Sequence, residues 1–166
     1  QVKNTEINAR PILSNGLKYT WWGVVALLIF ATDINPARAN MSMIDTLQTV
    51  YQGSGTLTSF KKTLSIPSPH QDDNRLDFGR VIMQAAPAYA QNGKQQELQP
   101  ILQFAIDELE KSRQNHPYDI RINVQEAQLL QVSFEIFHNT DHLIKAGEVL
   151  ADAKLKSPDR QQIDYF

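Results

Sequence analysis

The sequence predicts an all-α protein in which one transmembrane helix precedes a series of helical hairpins, and three observations carry that expectation. Residues Tyr19 to Thr32 form an uncharged, mostly apolar block. Beyond Asp33 the apolar residues recur at helical spacing to the end of the chain, and such periodicity is the primary signal for amphipathic helices. Within that stretch a small, large, small, proline pattern repeats.

The block comes first in the chain. Lys18 and Asp33 bound about 14 uncharged residues, whereas a span usually needs roughly 20. Its flanks supply the rest. Asn15, Gly16 and Leu17 are uncharged, Lys18 can carry its amine toward the interface on a long stem, and Tyr19, Trp21 and Trp22 suit the headgroup layer. A helix over about residues 15–34 is therefore expected to cross the bilayer, with residues 1–14 as the preceding loop. Val24, Val25, Leu27, Leu28, Ile29 and Phe30 together contribute on the order of −2 to −4 kcal/mol to insertion. Lys3, Arg10 and Lys18 precede the span and Arg38 alone closely follows it, so the positive-inside tendency places the hairpins outside the cytoplasm. Two competing readings are a signal peptide cleaved near Ala37-Arg38-Ala39 and a buried globular helix, which the paired tryptophans and the abrupt polarity at Asp33 fit less well.

Composition narrows the function classes. A chain of 166 residues holds one anchor and one modest domain. With a net charge of −2 and scattered lysines and arginines there is no basic field for nucleic acid. The absence of cysteine removes disulfides, thiolate catalysis and cysteine-type zinc sites together.

The elements after Asp33 follow in order. Asn35-Pro36 reads as a cap with proline at the first helical position, and Ala37, Met41, Ile44, Leu47 and Val50 continue the stripe to a turn at Gly53-Ser54-Gly55. A short helix over about residues 56–64 shows Leu57, Phe60 and Leu64 on one side and is stopped by Pro67 and Pro69. Asp73 is expected to cap a third helix carrying Leu76, Val81, Ile82, Ala85, Ala86 and Tyr89, kinked at Pro87 and ended by Gly93. A fourth shows Leu98, Ile101, Leu102, Ala105, Ile106 and Leu109, with Pro100 in its first turn and a break at Asn115-His116-Pro117. Asp119 caps a fifth helix with Ile122, Ala127, Leu130, Phe134 and Phe137. A turn at Asn139-Thr140-Asp141 leads to a sixth with Leu143, Ile144, Ala146, Val149, Leu150 and Ala153, and Pro158 opens a seventh running to Phe166.

Ala146, Leu150, Ala153 and Pro158 stand at offsets of 4, 7 and 12 from the first, and Ala105, Leu109, Ser112 and Pro117 repeat them. Thr56, Phe60 and Thr63 repeat the first three. This is the pattern of the second helix of a tetratricopeptide repeat: small residues let two helices approach, the large one fills the gap and proline ends the unit. Residues 35–166 are thus expected to be a tetratricopeptide-like domain. The two fuller copies lie 41 residues apart, longer than the usual spacing of about 34, which an insertion near His138 to Asp141 would explain.

The membrane block, Asp33-Ile34-Asn35-Pro36, Leu57-x-x-Phe60-Lys61-Lys62 and Ser157-Pro158-Asp159-Arg160-Gln161-Gln162-Ile163 together resemble the C-terminal part of bacterial O-antigen ligase and O-antigen polymerase-like membrane proteins that carry tetratricopeptide repeats. The resemblance is most specific at Ser157, Pro158, Arg160, Gln161 and Gln162. It implies that this chain is the tail of a protein of the bacterial inner membrane, whose multi-span domain handles the lipid-linked glycan while the repeats form an appended module. That family's functional arginine and histidine lie in an extracytoplasmic loop and match nothing in this chain.

The residues themselves show little chemistry. His138 and His142 are four apart, as a two-histidine metal face requires, but a turn lies between them and no third ligand is evident. Asp107, Glu108 and Glu110 read as a solvated helix face, and Asp72 and Asp73 as cap residues. Gly53-Ser54-Gly55 lacks the lysine and preceding strand of a phosphate loop. No catalytic, cofactor or metal residue is expected. The function read here is a non-catalytic anchor and helical-repeat module that binds a protein partner; the alternative is a membrane-anchored tetratricopeptide scaffold with no enzyme attached.

Overall fold

The computed structural model describes residues 15–51 and 56–158. Gly53-Ser54-Gly55, the expected seventh helix and Arg160, Gln161 and Gln162 lie outside these residues. Among the described residues the chain is helical with no strand. The helices are α1 (Asn15–Ile29), α2 (Asn35–Tyr51), α3 (Leu57–Leu64), α4 (Gln71–Gln91), α5 (Gln95–Asn115), α6 (Ile120–Phe137) and α7 (Thr140–Lys156).

The expected transmembrane helix is corrected: among the described residues no helix is long and apolar enough to cross a membrane. The reason lies at Pro36. Proline donates no hydrogen bond and its ring crowds the carbonyl four residues back, here that of Thr32. The chain relieves this by widening into a π turn over Phe30–Ile34, where the Asn35 amide reaches back to the Phe30 carbonyl. The regular α1 therefore ends at Ile29 after 15 residues, about 22 Å of rise against a hydrocarbon core of about 30 Å. Asp33 sits within the π turn, and α2 follows without a break. Asn35 consequently starts no separate helix; the backbone stays helical from Asn15 to Tyr51.

The remaining helices stack as hairpins. α4 pairs with α5 and α6 with α7, α5 packs on α6, and α2, α4 and α6 form a row of successive contacts. One core runs through the stack, with Phe60, Phe78, Ile82, Leu102, Leu109 and Leu130 among its fully buried side chains. The Phe78 ring lies 4.4 Å from that of Phe60 and 5.9 Å from that of Phe104. α3 is tied to α2 by hydroxyls: Thr63 Oγ1 lies 2.7 Å from Ser42 Oγ and 2.9 Å from Thr46 Oγ1.

Close approach of α4 to its neighbours depends on Gly79. A Cβ there would stand 2.7 Å from Gln125 Nε2 and 3.3 Å from both the Leu109 and Leu129 methyls. Gln125 cannot swing away freely, because its amide donates to the Leu76 carbonyl. Turns between hairpin helices are set by local caps. Asp119 accepts from the Arg121 amide at 3.1 Å and Asn139 from the Asp141 amide at 3.1 Å. Gly93 takes the left-handed conformation after α4, φ 71°.

Two details of the expected elements change. α4 begins at Gln71, so Asp72 and Asp73 lie in its first turn and are not its caps. Pro100 falls in the second turn of α5, which starts at Gln95.

Candidate functional site

The densest polar chemistry is a charged seam through the hairpin stack. The second half of α5 carries Glu108, Glu110, Lys111, Ser112 and Arg113 in near succession, and the helical period splits them between two neighbours. Toward α4, Arg75 donates from Nε to Glu108 Oε2 at 3.0 Å, and its terminal nitrogen donates to Asp72 Oδ1 at 3.1 Å and to Ser112 Oγ at 3.2 Å. Ser112, fully buried, donates to Asp72 Oδ1 at 2.6 Å. His116 Nε2 stands 2.9 Å from the other Asp72 oxygen. Lys111 closes the cluster on Glu108 at 2.5 Å.

Toward α6 and α7, Arg113 donates from Nε to Glu126 Oε2 at 2.7 Å and lies 3.9 Å from Glu110, which Lys145 of α7 reaches at 2.9 Å. Glu126 and Asn123 are fully buried. The second Glu126 oxygen and both amide atoms of Asn123 have no hydrogen-bond partner among the described residues; polar atoms so placed ordinarily call for ordered water.

Environment separates the two buried glutamates. Burial opposes the Glu108 charge, but the hydrogen bonds from Lys111 and Arg75 outweigh it and hold the carboxyl below its ordinary value. Burial dominates at Glu126 and pushes its carboxyl up, with Arg113 offsetting only part. Burial likewise opposes the Arg113 charge, but its bond to Glu126 raises its pKa, and the bond to Asp119 raises that of Arg121.

Ser112, Asp72 and His116 are the residue types of a hydrolase triad in a different order of contact. The serine proton goes to the carboxylate and not to the imidazole, the reverse of the order in which a serine nucleophile meets its histidine base. The cluster links α4 to α5 instead. Its outer rim is an open cleft of about 510 Å³ at the α5–α6 turn, lined by Asn115, His116, Pro117, Tyr118, Asp119 and Arg121. Tyr118 is 80% exposed there. Arg121 is braced by Asp119 at 2.7 Å and Asp73 at 3.5 Å.

The structure places the repeat-pattern residues as follows. Ala105, Leu109 and Ser112 are buried on α5, and Ala146 and Ala153 on α7. Leu150 is half-buried, packed beside Ile120 and Ala153. Phe60 is buried, but Thr56 is exposed and acts as the N-cap of α3, accepting from the Ser59 amide at 3.3 Å. Pro117 lies half-buried in the α5–α6 turn and Pro158 is exposed after α7. Ser157 follows α7 as its C-cap. His138 and His142 do not converge: His138 holds the left-handed turn after α6, φ 55°, while His142 Nδ1 lies 2.7 Å from Ser133 Oγ. Among the described residues no group of three or more histidines or carboxylates is placed to hold a metal. The solvated-face reading of Glu108 is wrong, since that side chain is buried in the seam.

The seam itself was missed from sequence. Glu126 and Asn123 lie on the apolar stripe that Ile122, Leu129 and Leu130 define on α6, and charge on a core stripe was the available signal. No protein-family model, curated protein or solved structure matches the chain.

Proposed function

We propose that the hairpin stack is a non-catalytic helical-repeat module that binds a protein partner, tetratricopeptide-like in its hairpin packing. The observation that supports this reading is the row of contacts α2, α4, α6, one helix from each hairpin. Stacking of that kind gives an elongated surface built from successive units, which repeat proteins use for recognition. The charged side chains of the seam are committed to one another across helices, which supports a structural role for them. The motif likeness to O-antigen ligase and polymerase-like proteins makes surface-glycan assembly the process such a module would serve, with the lipid-linked glycan handled elsewhere in the parent protein.

The test places a photo-crosslinking amino acid at Tyr118, on the cleft rim, in the protein in its native cell. A discrete adduct with one other protein, lost on Arg121→Glu, is the expected result. Glycan transfer by the purified chain alone would overturn the reading.

A further inference from the structure

The surface that the hairpin stack leaves uncovered lies on α1 and α2. α2 buries Pro36, Ala39, Met43, Thr46 and Val50 on one side. Its opposite side also carries apolar residues at spacings of three and four, Ile34, Ala37, Met41 and Ile44, and all of them are exposed. Met41 is 68% exposed and Ile44 63%. This is the a/d spacing of a coiled-coil seam. Trp21, Trp22 and Leu27 of α1 and Phe30 of the π turn are exposed as well, and among the described residues the main packing neighbour of α1 is the π turn that continues it.

From this we infer that the continuous α1–α2 helix is a dimerisation helix, and that its occupant is the same helix of a second copy, parallel and in register. Three considerations choose that occupant. The exposed apolar side chains run from Trp21 to Ile44, about 35 Å of helix, a length that the same helix of a second copy matches end to end. Ile34 and Met41 take the a positions and Ala37 and Ile44 the d positions, so Asp33 falls at g and Arg38 at the following e. In a parallel dimer those two positions face each other across the seam, and each copy's Asp33 meets the other's Arg38. Parallel register also lays α1 on its own counterpart. An antiparallel pairing that matched the same a and d positions would carry Trp21 and Trp22 past the end of α2 at Tyr51, uncovered. The π turn rotates the helix face between α1 and α2, but from Trp21 to Ile29 α1 carries no charged or polar residue other than glycine and the indole N–H groups, so that stretch meets its counterpart at any rotation.

The chain has no cysteine, so a single substitution reports the geometry. Ala37→Cys in the full chain is expected to give a disulfide-linked dimer under mild oxidation, while Ser65→Cys, exposed beyond α3, stays uncrosslinked. The parent chain should sediment as a dimer and Met41→Glu/Ile44→Glu as a monomer with unchanged helical circular dichroism. Arg38→Asp should weaken the dimer at least tenfold, and Asp33→Arg added to it should restore most of the loss. A monomer at every concentration, a dimer that Ala37→Cys does not crosslink, or a monomer floating with phosphatidylcholine–phosphatidylglycerol vesicles would each overturn the inference.

Discussion

The helix from Asn15 to Tyr51 and the hairpins α4 to α7 treat their apolar residues in opposite ways. In the hairpins Phe78, Leu109, Ile122, Leu129 and Leu130 are shut away completely, and even charged groups are matched inside. Along α1, Trp21, Trp22, Leu27 and Leu28 stand in the open. Composition alone does not separate the two regions, since both are rich in leucine, isoleucine and aromatic residues. The difference is connectivity. A hairpin folds its own second helix over the first, whereas α1 continues through the π turn into α2 and has no antiparallel neighbour among the described residues.

The sharpest way to break this contrast is to remove bulk on each side of it. Phe78→Ala should destabilise the hairpin stack by about 3–5 kcal/mol, because a fully buried ring between Phe60 and Phe104 leaves a cavity the helices cannot close. Both tryptophans lie in α1, so their emission reports that helix while circular dichroism reports mostly the stack. The dichroism transition in urea should shift and the tryptophan emission of the folded protein should not. A shift of both would join the two regions into one cooperative unit.

Gly79→Ala comes next. The added methyl meets an amide already committed to Leu76 and two leucine methyls at 3.3 Å, so overpacking of about 1–3 kcal/mol is expected. Gly147→Ala, where a Cβ meets nothing within 4 Å, is the matched control on α7 and should instead stabilise by about 0.5–1 kcal/mol through helix propensity alone. Equal effects of the two would mean that α4 does not approach its neighbours as closely as described.

These same residues explain what was legible in the sequence. The cap Asp119 and the buried positions of α5 follow from local pattern, because a helix's period and its ends are written in neighbouring residues; on α7 the same period also picked out Leu143 and Ile144, which are exposed. The continuity of α1 into α2 was not legible: Asn35-Pro36 reads locally as a start, and only the backbone decides between a break and a π turn. The span was misread for the same reason, since its length was counted from apolar residues and not from the regular helix they form. Gly79 and the seam were hidden because they depend on which helices meet. Glu108 and Arg75 are 33 residues apart, and nothing near either of them in sequence announces the other.

A smaller effect tests the turns that make hairpins possible. Asn139→Ala removes the side-chain acceptor of the Asp141 amide at the start of α7 and should cost about 1 kcal/mol. Measured by urea denaturation, Asn139→Asp should recover most of it, since aspartate caps as well. Failure of that rescue would show that the amide nitrogen of Asn139, and not its oxygen, is what the turn uses.

The smallest expected effect concerns the two buried glutamates, and its sign distinguishes them. The Glu126 carboxyl is raised above its ordinary value of 4.5, mainly by burial. A raised carboxyl binds its proton more tightly in the folded state, so its favourable contribution is full below about that value and is lost as pH rises through the folded pKa. Glu108 is lowered despite burial, by its bonds to Lys111 and Arg75; its contribution is present above its ordinary value and is lost as pH falls through the folded pKa. Glu126→Gln keeps the shape and an acceptor for Arg113 while removing the titration, so its stability relative to the parent should improve as pH is raised from 4.5 toward neutrality. Glu108→Gln should behave in the opposite sense, with the parent's advantage shrinking as pH falls below 4.5. Urea titrations of the three proteins across this range read both slopes directly. A parent-to-Glu126→Gln difference that stays constant with pH would mean that the Arg113 bond balances burial at Glu126 and that the seam carries no strained charge.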